Sequence, residues 1–200
     1  MNLRLTHSYR LVLASVLLLL WCLGFGWWQS GEGRVGGPMS LAKVLWLFLA
    51  LWHFYVLPFA LWRDQSLSPC VRKMWGIFLL GFVLRALVEI PLLLWTRAWR
   101  CEHGIAHDAI MMVLLVFMTR KCHPTLTPEI NAFSWQVRTA LAFEMYNAWL
   151  FRDIGNPAEG IYFASDDARF RMINQVTWAE VALLLPLVVW RLVRYVRTSS

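Results

Sequence analysis

Arg85-Ala-Leu-Val-Glu89-Ile-Pro91-Leu-Leu-Leu-Trp95-Thr-Arg97-Ala-Trp99-Arg100-Cys101-Glu102-His103-Gly-Ile-Ala-His107-Asp108 is the stretch on which the reading of this chain turns. It places an Arg/Glu pair at i, i+4 spacing inside an apolar segment and opens the next apolar segment with His-x-x-x-His-Asp. A charge within a membrane-spanning helix costs about 2.5–3.5 kcal/mol on insertion scales, so such residues are expected to have partners and a purpose.

The segments on either side are apolar and long. Of the 200 residues, 59% are hydrophobic and 16% are charged, whereas a soluble domain carries roughly 45–50% and ~25%. The mean hydropathy is +0.52, and the 13 tryptophans suit a chain with two membrane interfaces. These features predict an integral, multi-pass membrane protein of all-α class: a single polytopic helical bundle over residues 1–200. The expected spans are 11–28, 41–62, 74–95, 103–119, 130–151 and 177–193.

The start and stop signals support this division. The uncharged run after Arg10 has no small-x-small cleavage site and reads as an uncleaved signal anchor. Ser40 could cap the second helix, and Arg63-Asp64 ends it. Ser68-Pro69 and Thr127-Pro128-Glu129 are a cap residue followed by proline at the first helical position. Ser165-Asp166-Asp167 could cap the last helix. The fifth segment, with Gln136, Arg138, Glu144 and Asn147, could lie in the interface on hydropathy alone.

Charge distribution decides for six spans with both termini cytoplasmic. Segments 1–10, 63–73, 119–130 and 191–200 then hold ten Lys/Arg and two acids, Asp64 and Glu129. The opposite segments, 29–43, 96–104 and 152–176, hold seven Lys/Arg and six acids. That is the positive-inside bias. The net charge of +7 is accounted for in this way, and no basic stripe or recognition motif indicates nucleic acid. The four cysteines form no C-x-x-C pair; free apolar cysteines are expected, with Cys22–Cys101 as a possible single disulfide.

On this topology Arg85, Glu89, His103, His107, Asp108, Glu144, Asn147, Thr177 and Glu180 fall at similar depth, in the outer half of the bilayer. Prolines 58, 91 and 186 each free a backbone carbonyl one turn earlier. A hydrated polar pocket follows, and Glu89, His103, His107 and Glu144 are expected to share it. The bland readings are an Arg85–Glu89 pair that only joins helices, a hydrogen-bonded core histidine at His53, and an interfacial Glu180. His103 and His107 could also serve as two ligands of a divalent metal, with Asp108 as a third ligand or an orienter. Two histidines on different helices, His53 and His107, could instead hold haem. The lone His plus H-x-x-x-H has the residue types of membrane zinc hydrolases of the alkaline-ceramidase type. Their motif order is different, and no family is assigned.

The leading functional expectation is a membrane-embedded enzyme acting on a lipid or isoprenoid-like substrate. Glu89 or Glu144 would act as general acid, His107 as base, and Arg85 would hold an anionic group, with Asp108 completing the catalytic set. The alternatives are a small subunit or assembly factor, with membrane-protein partners or a second copy on its Trp-rich faces, and a small proton-coupled carrier.

Overall fold

The computed structural model describes residues 8–29, 41–96, 101–152 and 168–199, and the six helices found there form an all-α bundle. They are α1 (Ser8–Gln29), α2 (Leu41–Arg63), α3 (Pro69–Thr96), α4 (Cys101–Lys121), α5 (Pro128–Arg152) and α6 (Ala168–Ser199). Five of them, all but α5, contain stretches long and apolar enough to cross a membrane. The expected fourth and sixth spans are cores of longer helices, α4 and α6. The proposed caps at Ser40 and at Ser165-Asp166-Asp167 lie outside the described residues.

Local chemistry sets the helix starts. Ser68 Oγ accepts from the Val71 N–H at 3.3 Å, and Thr127 Oγ1 accepts from the Ile130 N–H at 3.2 Å. Each hydroxyl thereby satisfies one of the donors a helix start leaves open. Asp64 leaves helical geometry with ψ 108°, which ends α2. The residues that frame Pro91 and Pro186 remain helical, so neither proline breaks its helix. Ahead of Pro58 the chain widens into a π-helical stretch, Trp52–Val56, in which the Leu57 N–H donates to the Trp52 carbonyl. The wider turn makes room for a proline ring that would otherwise meet the carbonyl four residues earlier.

α2 is the central helix. It packs against α1, α3 and α6, and its π stretch also meets α5. Trp52 and His53 are fully buried, and Phe54 nearly so. Trp52 Nε1–H donates to Ser15 Oγ of α1 at 2.9 Å, while His53 bonds the Leu49 carbonyl through Nδ1 (2.7 Å) and meets Gln136 Nε2 of α5 through Nε2 (2.9 Å). With Nδ1–H donating to the carbonyl, Nε2 is the acceptor that Gln136 requires.

α5 owes its low hydropathy to what it points inward. Ile130, Phe133, Ser134, Gln136, Val137, Leu141 and Asn147 are buried, whereas Trp135, Tyr146 and Trp149 are exposed. At 25 residues, α5 is roughly 37 Å long. It packs against α4 and α6, with Thr119 and Ser134 hydroxyls 2.9 Å apart and Tyr195 O–H donating to Glu129 at 3.2 Å.

One disulfide contradicts the expectation of free cysteines: Cys70, at the start of α3, is joined to Cys122, just past the end of α4. Cys22 is free and buried, so the suggested Cys22–Cys101 bond is not formed. The pairing was hidden in sequence because it depends on two helix ends meeting. This disulfide, the Ser68–Thr125 hydroxyl contact (3.0 Å) and the Tyr195–Glu129 bond place the starts of α3 and α5 and the ends of α4 and α6 at one end of the bundle. From α3 to α6 the helix directions therefore alternate. Labelling engineered cysteines at Asp166 and at Ser199 from one side of sealed vesicles is expected to mark only one of the two. Marking of both would mean that the α5 segment does not cross.

Candidate functional site

Arg85 is the hub of the polar cluster. Its Nε donates to Glu89 Oε2 at 2.9 Å within α3, and its Nη1 donates to Asp108 Oδ1 of α4 at 2.6 Å. The i, i+4 spacing of Arg85 and Glu89 puts both on one face. Gly104 lets the guanidinium through: a Cβ there would lie 2.8 Å from Arg85 Nη2. Asp108 is almost completely buried.

Asp108 Oδ1 also meets His107 Nδ1 at 3.0 Å, and His107 Nε2 faces the Gly81 carbonyl of α3 at 3.2 Å. The imidazole thus stands between two acceptors, and a neutral ring can donate to only one of them. Its edge packs on Phe82, with ring centroids 4.9 Å apart. A carboxylate holding one ring nitrogen fixes the orientation of a histidine, the arrangement that general bases use.

Beyond this ion-paired half lies a half without partners. Glu144 of α5 is within electrostatic reach of Asp108 and Arg85, and Glu180 of α6 is within reach of Glu144. Three of their carboxyl oxygens, Glu144 Oε1 and both of Glu180, are buried with no hydrogen bond, as is Asn147 Oδ1. Trp46 Nε1–H of α2 points toward Glu144 without completing hydrogen-bond geometry. Buried polar atoms rarely go unpaired, so these mark a place where water or a ligand belongs.

These groups stand at one level. At about 1.5 Å per residue, Arg85 lies roughly 24 Å from the start of α3, Glu144 roughly 24 Å from the start of α5, Asp108 roughly 20 Å from the end of α4, and Glu180 roughly 28 Å from the end of α6. All four distances run from the same end of the bundle.

Of the residues singled out in sequence, the structure brings together Arg85, Glu89, His107, Asp108, Glu144 and Glu180, and adds Trp46 and Gly104. Glu180 in particular is fully buried rather than interfacial. Only its helical phase, three residues beyond the buried Thr177, could have shown that. His103 is exposed and takes no part in the network. Among the described residues no three His, Cys, Asp or Glu side chains are arranged to hold a metal ion. With both His107 nitrogens facing protein acceptors, the residues present do not fit a His103/His107 metal site. His53 is likewise engaged through both ring nitrogens.

No protein-family model, no curated protein and no solved structure matches this chain.

Proposed function

We propose that the protein is a membrane-embedded enzyme that performs acid/base chemistry on a lipid or isoprenoid-like substrate. The observation that carries the reading is the set of three partnerless carboxyl oxygens beside an oriented Asp108–His107 pair. In this reading Glu144 and Glu180 exchange protons with the substrate, and His107, oriented by Asp108, serves as base where a substrate displaces its Nε2 contact with the Gly81 carbonyl. Arg85, already held between Glu89 and Asp108, keeps the cluster from accumulating negative charge. The substrate class follows from access. The flanks of the bundle expose Leu84, Leu87, Val88, Ile110 and Val113, so a molecule reaching this level from the side comes from the hydrocarbon phase.

A second reading rests on Arg85, whose bridge to Asp108 ties α3 to α4 and is itself a structural device. It makes the protein a subunit or assembly factor of a membrane complex. A carrier is less well supported, because the ionisable groups share one level and are not strung along a path across the bundle.

Lipid extracts of cells expressing the wild type, Glu144→Gln or His107→Ala, compared by mass spectrometry, separate the readings. The enzyme reading expects a lipid species that changes with the wild type alone, while both variants keep the wild-type unfolding midpoint in detergent. Variants that unfold earlier, with no lipid change from any form, would decide for the subunit.

A further inference from the structure

A second feature runs from the disulfide-bonded end of the bundle to the level of the carboxyl cluster. An open groove of about 780 Å³ runs between α4 and α5. Its walls change character along its length. Arg120 and His123 line the portion at the helix ends, Arg138 lies about one turn deeper, level with Val116, and Met112 and Phe143 line the portion toward mid-bundle. No aspartate or glutamate is among its lining residues.

The two arginines are close enough to repel one another. Arg138 lies over the Trp135 ring, 4.9 Å from its centroid, and its Nε–H is buried without a hydrogen-bond partner. Two like charges facing one groove, with a buried donor unused, are complementary to an anion. From Asn131 to Tyr146 the α5 wall spans roughly 22 Å, longer than one leaflet's hydrocarbon at about 15 Å. That length takes a headgroup and one acyl chain together. Basic pockets between membrane helices are a recognised place for anionic lipid headgroups.

We propose that this groove holds an anionic glycerophospholipid, with its phosphate between Arg120 and Arg138 and one acyl chain along Met112 and Phe143. The Trp135 ring holds the Arg138 guanidinium flat beside the phosphate, and His123 borders the headgroup.

The test uses the full-length chain purified in neutral detergent, with thermal shift and native mass spectrometry as readouts. The probes are phosphatidylglycerol, phosphatidylcholine with the same acyl chains, and inorganic phosphate. Phosphatidylglycerol is expected to bind and to raise the unfolding midpoint more than phosphatidylcholine does, and inorganic phosphate is expected to have no effect. Arg120→Gln and Arg138→Gln should each weaken phosphatidylglycerol binding about fivefold, and the double variant about 25-fold, at roughly 1 kcal/mol per basic residue. Equal binding of phosphatidylcholine would leave only an acyl-chain groove and overturn the proposal. So would displacement of the lipid by inorganic phosphate, or unchanged affinity in Arg120→Gln. Arg120 is exposed at the end of its helix, so that variant carries the test even if Arg138→Gln fails to fold.

Discussion

Replacing Arg85 with alanine is expected to lower the stability of the folded bundle by about 3–5 kcal/mol, the cost of leaving buried carboxylates without their counter-ion. Asp108 would lose its 2.6 Å contact and Glu89 its 2.9 Å contact in one step. Asp108 is nearly inaccessible to water, which therefore cannot substitute. Unfolding in detergent, followed by circular dichroism, measures the loss. The triple variant Arg85→Met, Glu89→Gln, Asp108→Leu should recover much of the stability, because apolar groups of similar size often replace a buried ion network at little cost. If the enzyme reading holds, that recovered protein remains inactive on the lipid extract. An Arg85→Ala protein as stable as the wild type would mean that the pair contributes nothing to the fold.

Opening the Cys70–Cys122 disulfide should have the next largest effect. The two residues are 52 apart in sequence. For a free chain, closing a loop of that length is worth about 4 kcal/mol. Here the loop consists of two helices, α3 and α4, that are already restricted, so a loss of about 2–4 kcal/mol is expected from reduction or from Cys70→Ser. Unfolding midpoints with and without dithiothreitol read it, and unchanged midpoints would sink the prediction. The bond also bears on sidedness. The basic loops 63–73 and 119–130 favour the cytoplasm, where thiols are kept reduced. The two rules together predict thiols in the cell and a closed bond after isolation. Alkylation of intact cells before lysis tests this. A bond already closed in cells would put this end of the bundle in an oxidising compartment, and the end of α6 with it.

Much of the bundle was legible in the chain because its signals are local. Ser68-Pro69 and Thr127-Pro128 begin helices for reasons contained in three or four residues. Arg85 and Glu89 meet because i, i+4 residues share a face. Alternating helix direction then brought Asp108, His107 and Glu144 to the level of Arg85. What escaped depended on rotation about helix axes and on close approach between helices. His103 and His107 share a face by spacing, yet only His107 turns toward Gly81, because His103 lies a turn nearer the exposed end. The inward placement of Glu180, the passage that Gly104 leaves for the guanidinium, and the Cys70–Cys122 pairing are properties of neighbours distant in sequence. Hydropathy averages discount α5 for a related reason: its polar residues are the ones it buries.

The contact between His53 and Gln136 sets a condition on biogenesis. Gln136 lies 83 residues after His53. At about 5–20 residues per second of synthesis, the ring nitrogen that faces Gln136 waits roughly 4–17 s for its partner to be made. Through that interval α2, the helix that ends up innermost, stands with a polar atom uncovered. The chain therefore has a built-in vulnerable period, in which a partly synthesised protein presents its future centre to lipid, water or a chaperone, and it ends only when α5 arrives.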